Sequence, residues 1–343
     1  MTDNFLIIRL SSLGDIIHTL PAFCALRKKF PKGTISWVVE DKGKEILELV
    51  PGIDKIIVAH TEGWRINTRR FWREVSTLKK DIKNKNQIAL DFQGLIKSGL
   101  IAYLSKATKR IGFHRKNLRE SQAGLFYTDR LEEVPETIHV IDKNLRLLTL
   151  LEIMETQYEF PLNLPDEYAQ SVKEKLRKIE YDGKKKLVVL NVGAAWKTKR
   201  WFSENWVELI NMLKSKDLFL LILWGNEKEK ALAEEIHQKS QIPLSPDFSL
   251  KEVMALVKKA SLLISGDTFA LQVACAFSRP LVGIFGPTNP TRNGPFSPQD
   301  KVAFHEIECS YCYKRSCSSL ECLKKITPKE VEALSVQLLE KHA

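Results

Sequence analysis

The sequence predicts an α/β protein made of two doubly wound, Rossmann-like units with mainly parallel sheets. Three observations lead there. Short β-branched runs recur along all 343 residues with helical stretches between them, the pattern of strand-helix-strand units. The runs are apolar nearly end to end, as strands covered on both faces must be. They also fall into two sets, as expected for a chain longer than the ~250 to 300 residues at which single cores stop growing.

The first set is FLIIRL (5–10), TISWVVE (34–40), DKIIVAH (54–60), QIALDF (87–92) and KRIGF (109–113). The opening run passes through the polar turn SSLGD, closed by Asp15, into a helix expected over 16–28. The segment YEFPLNLPDEYAQ (158–170) has two prolines and no hydrophobic period, so it reads as a linker with the boundary at residue 165. The second set is KLVVLNVG (186–193), LFLLILWG (218–225), SLLISGD (261–267) and PLVGIFG (280–286). At the end, Thr327, Pro328 and Glu330 form the start signal of a terminal helix. The expected organisation is an amino-terminal domain over 1–165, a second domain over 166–326, and a helix over 327–343 that packs back on the first domain. No repeat of 20 to 50 residues points to a solenoid.

A composition of 44% hydrophobic and 28% charged residues suits a globular chain, and the longest apolar run, LFLLILW, is far short of the ~20 residues that span a bilayer. No charged-then-apolar leader precedes the first strand, so the expected location is cytoplasmic. The net charge of +11 suits anionic partners: nucleic acid, an anionic membrane face or phosphorylated substrates. Much of the excess sits in lysine-rich solvated stretches such as KKDIKNKN, whereas GWRINTRRFWRE (63–74) interleaves aromatic and basic residues as a functional surface would. A nucleic-acid binder should carry a recognisable module, and none is present. Neither a G-x-G-x-x-G nor a G-x-x-x-x-G-K-[ST] fingerprint occurs. Ligands of open α/β sheets sit outside the carboxyl ends of the strands. Asp15, DFQGLIKSG, NVGAAWKTKRW, WGNE and SGDTF all follow strands.

Five segments, IRLSSLGDIIHTLPA, DFQGLIKSGLIAYLS, FHRKNLRESQAGLFY, KTKRWFSENW and ISGDTFALQVACAFSRPLVGIFGPTNP, occur in this order over almost the whole chain. Together they resemble the lipopolysaccharide heptosyltransferase family, closest to its heptosyltransferase I branch. The resemblance implies a GT-B fold with two facing domains, the first binding acceptor and the second a nucleotide sugar. It implies inverting transfer of L-glycero-D-manno-heptose from ADP-heptose to the Kdo region of lipid A, peripheral to the inner membrane's anionic cytoplasmic face. No cofactor is required for that catalysis, and no nucleic acid is a partner. Another ADP-heptose transferase, heptosyltransferase II-like or protein-directed, and a non-catalytic nucleotide-binding relative are the alternatives.

The resemblance makes Asp15 the general base and Lys199 the cation at the donor diphosphate. A carboxylate can take the acceptor hydroxyl's proton, and a cation can stabilise the charge that the leaving diphosphate gains. A helix cap is the second reading of Asp15. The same resemblance puts Ala194, Ala195, Glu227, Phe248, Asp267, Thr268, Phe269 and Gln272 at the donor, with Glu227 on the ribose and Phe248 on the adenine. The strand end and helix start in SGDTFALQ suit a diphosphate. Many relatives have Gly and His where this chain has Phe269 and Gln272, and hydroxyl residues where it has Ala194 and Ala195. Arg200 either assists at the donor or lies on the surface. Arg65, Lys97 and Arg119 would bind the anionic acceptor, for which arginine forks are suited; Gln93 and His139 are weaker candidates.

Of six cysteines, Cys24 and Cys275 lie in apolar helical runs, and Cys309, Cys312, Cys317 and Cys322 form a cluster. In a reducing compartment that density suits a structural zinc or iron site bracing the loop before the last helix, apart from catalysis. Reduced, unliganded thiols are the other reading.

Overall fold

The computed structural model describes residues 4–61, 64, 68–84 and 87–341, so the expected acceptor residue Arg65 lies outside the described part. The chain divides into two compact units, Met1–Asn163 and Leu164–Ala343. Among the described residues no helix is long and apolar enough to cross a membrane.

The first unit carries strands β1 (Asn4–Ile8), β2 (Thr34–Val39), β3 (Lys55–Val58), β4 (Gln87–Asp91), β5 (Lys109–Gly112) and β6 (Asp129–Arg130). They lie in the order β3-β2-β1-β4-β5-β6, with every pairing parallel. Side chains alternate across a strand. Leu6, Ile8 and Val38 therefore face Leu78 and Ile82 of helix Thr68–Ile82 and Ile101 and Ala102 of helix Ile96–Leu104. Trp37 points the other way, to Phe23 of helix Leu20–Lys29. The helix expected over 16–28 is two helices, Leu13–Ile17 and Leu20–Lys29. Pro21 explains the break: lacking an N–H, it fits a first turn but cannot continue an upstream helix.

The second unit carries β7 (Lys186–Asn191), β8 (Leu218–Leu223), β9 (Leu262–Gly266), β10 (Leu281–Ile284) and β11 (Lys301–Ala303), all parallel in the order β11-β10-β9-β7-β8. The edge strands β6 and β11 are too short for any sequence period to reveal. The terminal helix Pro328–Lys341 packs within the second unit. Its Val331, Leu338 and Leu339 join Ile264, Val282 and Ala303 of this second sheet and Leu209, Ile210 and Leu213 of helix Ser203–Lys214, because that sheet face is the apolar surface its stripe can bury. At its start Thr327 Oγ1 accepts from Glu330 N at 3.2 Å, while the Glu330 carboxylate meets His305 Nε2 at 2.8 Å.

Strand order reverses once in each sheet, between β1 and β4 and between β7 and β9. Successive crossovers leave on opposite faces at such a switch point and open a crevice at the carboxyl ends. Each unit thus has one preferred place for a ligand.

Candidate active site

At the first switch point the turn after β1 meets the loop after β4. Arg9 is buried, and its Nη2 lies 2.8 Å from Asp15 Oδ1 while its Nη1 donates to the Phe92 carbonyl. Asp15 is the third residue of helix Leu13–Ile17, and its Oδ2 accepts from the N–H and Oγ of Ser12, each at 3.1 Å. The cap and the candidate base are therefore one residue, and neither reading displaces the other. Burial pushes the Asp15 carboxyl up, but the Arg9 guanidinium, His18 and the two Ser12 bonds outweigh it and hold the pKa below the ordinary aspartate value. An ionised carboxylate has about four acceptor positions. Three are filled here, and with the side chain 37% exposed the fourth is accessible for a proton.

The β4 loop holds this turn in place. Gln93 Oε1 accepts from Leu10 N at 2.9 Å and Ser11 N at 3.1 Å. Asp91, fully buried, orients that loop: Oδ1 accepts from Gln93 N at 2.8 Å and Gly94 N at 3.2 Å, and Oδ2 from Tyr127 OH at 2.7 Å. Burial raises its pKa despite those bonds. Gln93, a weaker acceptor candidate by sequence, is thus a brace for the Asp15 turn. Lys97 Nζ meets Glu40 Oε1 at 2.5 Å and Thr61 Oγ1 at 3.1 Å, so its charge is already balanced. Arg119 is exposed beside Leu118, which packs beneath Gly94; at φ +70° that position needs glycine, and a Cβ would stand 2.9 Å from Leu118. His139 caps helix Val140–Leu147, its Nδ1 accepting from Ile141 N at 3.2 Å.

At the second switch point Lys199 Nζ lies 2.6 Å from Asp267 Oδ2 and 3.3 Å from the Asp267 carbonyl, and 4.5 Å from the centre of the Trp196 ring. Two expected donor residues are one ion pair joining the loops after β7 and β9. Thr268 begins helix Phe269–Ala276, its Oγ1 2.9 Å from both Asn191 Nδ2 and Ser265 Oγ. Ala194 is buried with its carbonyl accepting from Arg200 Nε at 2.8 Å, Ala195 is exposed, and Phe269 is half-buried. Arg200 therefore shapes the Lys199 loop from within. Gln272 is buried, and its Nε2 donates to the Asn293 carbonyl at 2.8 Å. One turn beyond Thr268, it lies on the helix face turned to the interior.

The two glutamates after β8 behave differently. Glu227 is on the surface, its side chain 82% exposed and 3.9 Å from Lys230. Glu229 is buried, with Oε1 accepting from Asn226 Nδ2 at 2.8 Å and Oε2 from Gly225 N at 3.1 Å. A Cβ at Gly193 would stand 2.2 Å from that Oε2, so the carboxylate spans the ends of β7 and β8. Sequence reading passed over Glu229; the signal was the spacing Asn226 to Glu229, a capping pattern that turns the third helical residue back toward the strand end. Arg9 was missed too, although it is the only charge in the first apolar run. Phe248 is half-buried, with Lys175 Nζ 5.3 Å from its ring centre.

In the cysteine cluster Cys309 and Cys317 are exposed, Cys312 is half-buried and Cys322 is buried, with Cys309 and Cys312 near enough to act on the Cys322 thiol. Among the described residues no three His, Cys, Asp or Glu side chains are gathered as metal ligands are. A bond from the Leu320 N–H, with Ser319, lowers the Cys317 thiol, whereas burial raises that of Cys322. The loop braces the Lys199 segment: the Lys314 carbonyl accepts from Thr198 Oγ1 at 2.7 Å, and the Arg315 guanidinium lies 5.0 Å from the Trp196 ring centre.

The two Rossmann-like parallel sheets, with charged pairs at their switch points, share the GT-B fold of solved heptosyltransferase structures. The profile of glycosyltransferase family 9 (heptosyltransferase) matches residues 75–323, and the chain belongs to this family. It is 30% identical to lipopolysaccharide heptosyltransferase 1 of Campylobacter coli, over 84% of this chain and 85% of that one. To the Pseudomonas aeruginosa enzyme of the same name it is 27% identical, over 91% and 87%. The fold is similar to that of a family 9 glycosyltransferase from Veillonella parvula, with a TM-score of 0.83 at 21% identity over 98% of this chain and 97% of that one. The E. coli heptosyltransferase WaaC with ADP gives 0.75 at 23% identity, over 99% and 100%.

Proposed function

We propose that this glycosyltransferase moves L-glycero-D-manno-heptose from ADP-heptose to the Kdo region of lipid A during assembly of the lipopolysaccharide inner core, with inversion at the anomeric carbon. The observation that carries the proposal is an ionised, oriented carboxylate at one switch point, Asp15, and a positioned cation at the other, Lys199.

In the proposed displacement the acceptor hydroxyl oxygen bonds to the anomeric carbon as Asp15 takes its proton. The anomeric C–O bond to the diphosphate breaks on the opposite face, and its electron pair leaves on ADP. Lys199 stabilises the charge that grows there, with the N–H groups beginning helix Phe269–Ala276 beside it. Asp267 and Thr268 fix those groups, and Phe269 bounds the sugar side. Glu229, rather than the outward Glu227, is the carboxylate for the ribose hydroxyls, and Phe248 is the apolar surface for adenine. Ala194 and Ala195 leave the loop before Lys199 with backbone groups only. Arg65 and Arg119, with Lys97 balanced by Glu40, are the acceptor's cationic contacts. The enzyme works at the cytoplasmic face of the inner membrane, where a lipid-linked acceptor is found.

The test is Asp15→Asn. Turnover should fall by ~10²- to 10⁴-fold, because an amide cannot accept the proton, while ADP-heptose binding measured by calorimetry stays at the parent value. A variant that keeps near-parent turnover at saturating substrates would remove Asp15 from the mechanism.

A further inference from the structure

The described surface exposes few large apolar side chains, and three of them lie together. Ile96 (43% exposed) and Tyr103 (47%) are seven residues apart on helix Ile96–Leu104, hence on one face, with half-buried Leu100 between them. Leu125 (81%) lies in the last part of the adjoining 3-10 turn Ser121–Phe126, just before its final residue. That turn presses directly on the helix. A Cβ at Gly99 would stand 2.7 Å from the Phe126 ring, and the Phe126 and Tyr103 ring centres are 6.1 Å apart. The apolar strip is edged by cations: Lys106 Nζ is 4.9 Å and Arg110 Cζ 5.9 Å from the Tyr103 ring centre. Glu120 is engaged with the Ile96 N–H at 2.7 Å, and Asp129 is 3.8 Å from Lys109.

We infer that this face of the first unit docks on an anionic lipid bilayer. An apolar strip with an aromatic ring at its edge and cations over that ring matches the boundary between acyl chains and anionic headgroups. Leu125 and Ile96 enter the apolar layer, Tyr103 sits at headgroup depth, and Lys106 and Arg110 meet lipid phosphates. The strip adjoins the candidate acceptor residues, since Ile96 precedes Lys97 and Glu120 follows Arg119. A sugar still attached to its lipid would thus reach those residues without leaving the membrane. The inference deepens the acceptor reading above and rests on it.

Flotation of the full chain with vesicles tests it. The parent should float with phosphatidylglycerol/phosphatidylethanolamine vesicles and not with phosphatidylcholine alone. Leu125→Glu should lower the bound fraction constant by about tenfold or more, the size of effect expected when one leucine no longer leaves water. Lys106→Glu should weaken binding in a salt-dependent way. Transfer to a lipid-free, water-soluble acceptor fragment should be unchanged in both variants, which shows that they fold. Equal flotation of parent and Leu125→Glu would overturn the docking face and assign binding to net charge elsewhere. Absence of flotation in the parent, with a self-associated species in sedimentation that Leu125→Glu dissociates, would overturn it in favour of a second copy. A parent that floats but transfers nothing to a lipid-linked Kdo acceptor would overturn the acceptor reading and leave the docking face standing.

Discussion

Replacing Arg9 with Met removes the cation that holds Asp15 while keeping most of the buried stem. The guanidinium is buried and 2.8 Å from Asp15 Oδ1, and it also ties Asp15 to the β4 loop through the Phe92 carbonyl. Two unit charges ~4 Å apart attract by about 4 kcal/mol at an effective dielectric of ~20. Because the Asp15 side chain is 37% exposed, water screens part of this, leaving about 1 to 2 kcal/mol. The sign follows from the pair: Arg9 lowers the pKa of Asp15, so its loss raises it. A base must be unprotonated to act, so the acid limb of kcat/KM against pH should move to higher pH. Turnover on the plateau should also fall, by ~10- to 100-fold, because a carboxylate without its anchor is misplaced. Arg9→Lys should restore the position of the limb more than the plateau, since one ammonium cannot bridge Asp15 and Phe92 in the same geometry. The assay is steady-state kinetics from pH 4 to 9 on both variants, with circular dichroism as the folding control. An acid limb that stays in place in Arg9→Met would refute the claim that this pair tunes the base. The pair also links pH to stability: its contribution, present above the unfolded aspartate pKa, is lost as pH falls through the depressed folded value, and Arg9→Met should lack that loss.

Three further outcomes follow from the second unit. Glu229→Gln should weaken ADP binding by about tenfold while Glu227→Gln leaves it unchanged, since only the former faces the strand ends; isothermal titration of both decides, and the reverse order would return the ribose to Glu227. Asp267→Asn should depress kcat more than ADP affinity, because it loosens Lys199 without removing its charge; a pure loss of affinity would show that Asp267 acts on the ground state alone. If the cysteine cluster holds a structural metal, protein purified without added metal should contain near one zinc or iron per chain, lost in Cys312→Ser. Metal at background in freshly purified protein would leave the four cysteines as reduced, unliganded thiols.

The sequence by itself determined the class of fold and marked the loops after the strands as the place to look for a site. Apolar β-branched runs with helices between them demand parallel sheets wherever the chain is placed, and strand ends followed by SSLGD, AAWKTK and SGDT are local patterns. The two short edge strands, β6 and β11, escaped because a few residues carry no period. The terminal helix shows the same limit: its start signal was legible at Thr327, but the surface it covers was not, because an amphipathic stripe records that it must be buried and not against what. Partners distant in sequence were beyond local reading altogether. Arg9 and Phe92 stand 83 positions apart, and Lys199 and Asp267 68 apart. Only the order of strands, which brings β1 beside β4 and β7 beside β9, turns those residues into charged sites. Side-chain direction was the other tertiary decision. Glu227 and Glu229 are alike in composition and two residues apart, yet a helix turns neighbouring positions ~100° from one another, so only Glu229 meets the strand ends.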